Sequence, residues 1–219
     1  MTASVDLARY PIDRPGAERA ELVERCKKAL HRDGMFNLEG FMPPAAVEAT
    51  LATVRPRLAT DAFTHARRHN IYFKPDIQGL PPDHPALALK ETVNHTLCAD
   101  QLSDTDVFTA YSFPPLARFL AEVMDMDALH TMADPLAALN VMGYGDGEAL
   151  NWHFDRSQFT TTLLLQAPEA GGEFEYRTAL RTDEDQNYDG VARLLRGEDK
   201  NVRTLSLAPG TLNVFRGKN

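Results

Sequence analysis

Cysteine is nearly absent from this chain of 219 residues: only Cys26 and Cys98 occur, too few for a disulfide framework. Together with an N-terminus (MTASVDLARYPIDRPG) that lacks the apolar stretch of a signal peptide, this predicts a reducing, cytoplasmic setting. No apolar run approaches the length of a membrane span, so no membrane partner is expected. Positive charge is also in deficit. Lys and Arg number 23 against 31 Asp and Glu, a formal net charge of −8, which argues against a nucleic-acid partner, because phosphate binding needs a basic face. Repeats and low-complexity tracts are missing as well, and the length suits a single domain over residues 1–219.

What remains falls into two parts. Residues 1–130 read as mostly helix and loop. Leu22, Val23, Cys26, Ala29 and Leu30 recur at helical spacing and end at Gly34, placed as a helix C-cap glycine. A short apolar segment runs from Met35 to Met42. Pro43-Pro44 opens a second helix with the stripe Val47, Leu51, Val54 and Leu58, and Pro114-Pro115 opens a third with Leu116, Phe119, Leu120 and Val123. Between them, Asp61 to Ser112 reads as irregular, with Ile71-Tyr72-Phe73 the one candidate strand and Leu80 to Pro85 a loop. Residues 131–219 carry short strand-like runs: Leu136–Tyr144, Phe159–Gln166, Gly172–Thr178, Arg203–Leu207 and Thr211–Phe215, separated by Gly- and Pro-containing turns. Asp183 to Asn201 is polar and reads as an exposed insertion or part of a lid. The expected fold is therefore mainly β with helices, an antiparallel sandwich or barrel braced by an N-terminal helical layer.

Two His-x-Asp tripeptides occur, and their settings differ. His31-Arg32-Asp33 closes an amphipathic helix beside Gly34 and reads as a polar helix terminus. His153-Phe154-Asp155 follows a Gly-rich turn and precedes a strand. On extended backbone, side chains at i and i+2 share a face, so His153 and Asp155 can reach one metal ion. An imidazole plus a carboxylate with positions left open is the start of the facial triad that activates dioxygen at Fe(II). The alternative is a buried His paired with an Asp at a strand end.

Three pieces in order extend the motif: Asn151-Trp152-His153-Phe154-Asp155, then Ala170-Gly171-Gly172-Glu173-Phe174-Glu175-Tyr176, then Ala208-Pro209-Gly210-Thr211-Leu212-Asn213-Val214-Phe215-Arg216-Gly217. Over residues 136–219 this text resembles the Fe(II)/2-oxoglutarate-dependent oxygenase superfamily, and most nearly its HalD/BesD-like group of amino-acid hydroxylases and halogenases. The resemblance implies a double-stranded β-helix (jelly-roll) core, Fe(II) as cofactor, 2-oxoglutarate and dioxygen as co-substrates, and a small amino-acid-like metabolite as substrate. It implies His153 and Asp155 as metal ligands. The third ligand, a distal histidine, and an arginine for 2-oxoglutarate are expected beyond Asn219, so the core over 131–219 is expected to be incomplete at its C-terminus. Halogenases of the group carry a small residue at the carboxylate position; Asp155 therefore implies hydroxylation. Asn140, Met142 and Tyr144 alternate on one strand face, so Asn140 and Tyr144 either contact 2-oxoglutarate or are ordinary strand residues. Thr160 and Thr162 share a face of the next strand, and Thr162 is a further co-substrate candidate. Trp152 either lines the site or packs in the core. Arg156 either meets a substrate carboxylate or phosphate, or is solvated or paired with a neighbouring acid. Glu173 and Glu175 read as surface residues, and His69, in a polar run, as exposed or else part of a substrate loop. Rival expectations are a cupin-like isomerase or lyase, and a jelly-roll that binds a ligand without catalysis.

Overall fold

The computed structural model describes residues 3–218. The chain begins with α1 (Ala17–Asp33), β1 (Met35–Leu38) and α2 (Pro44–Thr60). Gly34 ends α1 in the left-handed region at φ 74°, its N–H closing on Leu30 O at 3.1 Å. Pro44 starts α2, where a missing N–H costs nothing. Then come β2 (Phe63–His69), β3 (Lys90–Cys98), α3 (Asp106–Tyr111), α4 (Pro114–Val123) and β4 (Asn140–Gly143). The chain ends with β5 (Thr160–Leu163), β6 (Phe174–Tyr176), α5 (Tyr188–Leu195), β7 (Arg203–Leu205) and β8 (Leu212–Phe215).

All strand pairs are antiparallel. β1-β8-β5 and β2-β3-β4 form two three-stranded sheets, and β6 pairs with β7. Pairing fixes which side chains share a face. In the first sheet Phe36, Val214 and Thr161 align, as do Leu38, Leu212 and Leu163. Their leucines, Phe36 and Val214 join the main core with Leu22, Leu30, Val54 and Phe119 from the helices. The opposite face aligns Asn37 with Asn213 and Thr162, and Met35 with Phe215 and Thr160. The second sheet follows the same rule. Leu97 and Val141 pack into the helical core, while Thr92, Asn94 and Thr96 form a buried polar row on the other face. Each sheet thus spends its apolar face on the helices and keeps a polar face for something else.

The expectation of a mainly β chain is corrected: helix occupies more residues than strand, and the strands lie in separate antiparallel sheets, not a closed barrel. Two regional readings also change. The stretch from Asp61 to Ser112 holds β2 and β3, the longest strands of the chain, whereas Ile71-Tyr72-Phe73 lies in a turn between them. β2 escapes a hydropathy reading because six of its seven side chains are exposed and most are polar. The charged stretch Asp183 to Asn201 is not simply an exposed insertion. It contains α5, whose Val191 and Leu194 are buried with Ile71, Ala86, Phe154 and Leu180 in a second, smaller core. No helix among the described residues is long and apolar enough to cross a membrane.

Candidate functional site

The loop between β4 and β5 carries the His-x-Asp motif and is tied down at several points. Asn151 holds it to β3: its Nδ2 donates to Glu91 O at 2.6 Å, and both Nδ2 and the backbone N–H donate to Thr92 Oγ1 at 3.3 Å. Phe154 N donates to Ile71 O at 3.2 Å, and Asp155 N to Gly217 O at 2.8 Å, just past β8. The extended backbone splits the side chains by parity. Phe154 turns into the small core, stacked on Tyr72 at 5.3 Å with the Arg181 guanidinium 3.7 Å from its ring centre. His153 and Asp155 turn the other way and meet, Nε2 to Oδ1, at 3.0 Å.

Each partner is also held from behind. His153 Nδ1 donates to Asn151 O at 2.8 Å, and Asp155 Oδ2 accepts the Thr160 hydroxyl at 2.6 Å. The hydrogen bond to Asp155 raises the His153 pKa above its ordinary value, against the opposing pull of burial. Burial pushes the Asp155 carboxyl up, but the hydrogen bonds from His153 and Thr160 outweigh it and leave its pKa lowered.

The same two groups fit a divalent metal. Donors about 2.1 Å from an ion and at right angles to one another stand about 3.0 Å apart, which is the His153–Asp155 separation. An Nδ1–H fixed on a carbonyl leaves Nε2 as the ligating nitrogen, the usual outer-shell arrangement of a metal-binding histidine. Among the described residues no group of three or more His, Cys, Asp or Glu side chains is placed to hold an ion.

A wall of the site comes from the turn after β2, which nothing in the sequence connects to the motif. Asn70, 2 % exposed, bends the chain by accepting the N–H groups of Tyr72 (3.1 Å) and Lys74 (3.2 Å) and donating to Lys74 O. The turn forces Phe73 to φ 55°, a costly conformation for an aromatic residue. Phe73 stacks on His69 at 4.4 Å and meets the His153 ring edge-on at 5.8 Å. His69 is therefore corrected: it is not exposed but 4 % accessible, hydrogen-bonded on both nitrogens. No motif or spacing marks His69, Asn70, Phe73 or Thr92, because only tertiary packing brings them to the loop.

The remaining candidates scatter around this centre. Arg156 is exposed, with its guanidinium over Phe73 at 5.8 Å; Arg67 lies over the same ring at 5.4 Å. Trp152 packs against the smaller core. Thr162 shares a face with Thr160 and touches Asn213 Nδ2 only at 3.5 Å. Tyr144 is exposed, its hydroxyl 3.7 Å from Met142 Sδ. Asn140 pairs with Cys98, six residues along β3 from Thr92, roughly 20 Å at strand rise, and its side chain donates to Leu136 O. The structure therefore does not bring Asn140 to the His153–Asp155 pair. Glu173 and Glu175 are exposed as expected. His31 and Asp33 lie in the last turn of α1, where Arg32 bridges Asp33 at 2.6 Å. No protein-family model matches the chain, and no curated protein is significantly similar to it.

Proposed function

We propose that the protein is a non-haem Fe(II)/2-oxoglutarate-dependent oxygenase that hydroxylates an unactivated C–H bond of a small amino-acid-like metabolite. One observation carries the reading: His153 Nε2 and Asp155 Oδ1 converge at the spacing of two adjacent metal donors, each braced from behind by a second hydrogen bond. His153 and Asp155 would hold the iron. The bound metal, with 2-oxoglutarate, supplies the activation of dioxygen, with succinate and carbon dioxide released.

The protein's own residues would do the positioning. Thr160 holds one Asp155 oxygen and so presents the other to the metal. Phe154, Tyr72 and Arg181 close the back of the loop against water. Arg67 and Arg156, standing over Phe73, would meet a substrate carboxylate, while Thr162, on the polar face of its sheet, and the exposed Tyr144 would be open to a co-substrate. The loop's hydrogen bonds to Thr92 on one polar sheet face and to Thr160 on the other support reading the sheets as walls of a double-stranded β-helix. Asp155 occupies the ligand position that a halide would need, which favours hydroxylation over halogenation. Buried, unpaired Cys26 and Cys98 fit a cytoplasmic setting.

The test is an anaerobic titration of the full-length protein with Fe(II) and then 2-oxoglutarate. A weak visible charge-transfer band that disappears in His153→Ala supports the oxygenase. Metal binding without any response to 2-oxoglutarate points instead to a cupin-like isomerase or lyase. No metal binding at all leaves a non-catalytic jelly-roll that binds a small ligand.

A further inference from the structure

The His69 imidazole is buried and polar, and it is wired to the candidate ligand. Its Nδ1 lies 3.0 Å from Asn70 O, and its Nε2 lies 2.7 Å from Thr92 Oγ1. Thr92 Oγ1 in turn receives two N–H groups of Asn151, and Asn151 O receives Nδ1–H of His153.

Counting donors and acceptors gives this chain one direction. A carbonyl only accepts, so Nδ1 of His69 carries the proton and Nε2 is left as an acceptor. A hydroxyl offers one hydrogen and two lone pairs. Both lone pairs of Thr92 are taken by Asn151, so its hydrogen goes to His69 Nε2. With Thr92 fixed, Asn151 is held at its backbone and its amide together, and its carbonyl is aimed at His153 Nδ1. Phe73, stacked on His69 and edge-on to His153, lies between the two rings and holds their spacing.

We propose that His69 is a positioning residue: through Thr92 and Asn151 it fixes the orientation and tautomer of His153, so that Nε2 faces the metal. Its role as a metal tuner rests on the oxygenase reading, whereas the relay itself exists with or without metal. Outer-shell partners of this kind are typically worth about ten- to a hundredfold in metal affinity.

The test compares the full chain with His69→Phe, which keeps a ring against Phe73 but removes both nitrogens, and with Thr92→Val and Thr92→Ser. Anaerobic calorimetric titration with Fe(II) alone should show Kd about ten- to a hundredfold weaker in His69→Phe and Thr92→Val, and near wild type in Thr92→Ser. The double variant should be little worse than either single one, because both break one chain. Unchanged Kd in both single variants, or fully additive losses, overturns the proposal. If the wild type binds no Fe(II), the oxygenase reading fails, and the relay is then judged in the metal-free protein. There the His153 Nδ1 nitrogen resonance should move in His69→Phe and Thr92→Val and return in Thr92→Ser. A resonance that stays put overturns the relay whatever the metal does.

Discussion

Gly217 lies directly against Asp155. Its carbonyl accepts the Asp155 N–H at 2.8 Å, and a Cβ built at position 217 would land on the carboxylate. The segment leaving β8 and the second candidate ligand therefore share one space, and only a residue without a side chain lets them do so.

Gly217→Ala should push the carboxylate away from His153 without touching either candidate ligand. Such overpacking typically costs about 1–3 kcal/mol, which corresponds to roughly ten- to a hundredfold in Fe(II) affinity if the strain falls on the metal-holding geometry. Calorimetry with Fe(II), alongside the thermal midpoint of the metal-free protein, checks this. Affinity equal to wild type would mean that Asp155 is not held where the metal sits.

If Fe(II) binds at the His153–Asp155 pair, pH should act in opposite ways on the fold of the metal-free protein and on its affinity for the metal. His153 has a raised folded pKa, so its contribution to stability is complete below its unfolded value of about 6.5 and is lost as pH rises through the folded value. Asp155 has a lowered one, so its contribution is present above about 3.9 and is lost as pH falls through the folded value. The pair therefore supports the metal-free fold most between about pH 4 and 6.5. Metal binding needs His153 deprotonated and so strengthens over the range where that support fades. Urea midpoints at pH 5.5 and 8.5 for wild type and His153→Gln, set beside Fe(II) affinity at the same two pH values, should show the opposite slopes. Parallel slopes would contradict the assignment.

How much of this was legible in the sequence follows from which patterns carry hydropathy. The helices α1, α2 and α4 were readable because their apolar stripes and Pro or Gly boundaries are local. The five strand-like runs after residue 131 each contain an observed strand, though the strands are shorter than the runs. The tripeptide His153-Phe154-Asp155 was readable for the same local reason. The hairpin-like pair β2 and β3 was not, because its buried row is Thr92, Asn94 and Thr96 and its outer strand is charged. Their burial is set by what packs above them, which no window of sequence contains. His69 was misread as exposed on the same ground, since its partners Thr92 and Phe73 arrive from β3 and from a strained turn.

The amphipathic helix α5 gives a further check on a corrected region. Leu194 is 4 % exposed among Ile71, Ala86 and Phe154. Leu194→Ala should cost about 2–5 kcal/mol, a loss that a detached surface lid would not show, since exposed substitutions usually stay within about 0.5 kcal/mol. Because Phe154 sits between the two candidate ligands and packs in the same cluster, its amide should also exchange faster in the variant. A small change in urea midpoint with unchanged exchange at Phe154 would return the segment to the status of an exposed insertion.

The last prediction concerns the choice between hydroxylation and halogenation. Asp155→Gly removes a carboxylate that accepts the Thr160 hydroxyl and that fills the space beside Gly217. It leaves an anion-sized gap next to His153, with a hydroxyl donor already aimed into it. Chloride fits that gap in charge and size, as the small residue of the resembling halogenases would require. With substrate, Fe(II), 2-oxoglutarate and oxygen, the variant should lose the hydroxylated product. On addition of chloride it should consume 2-oxoglutarate again and give a product bearing the chlorine isotope pattern by mass spectrometry. Wild type should show no chloride dependence, because Asp155 holds the position itself. If 2-oxoglutarate consumption by the variant ignores chloride, Asp155 is not the residue that decides the outcome, and the inference from its identity to hydroxylation falls with it.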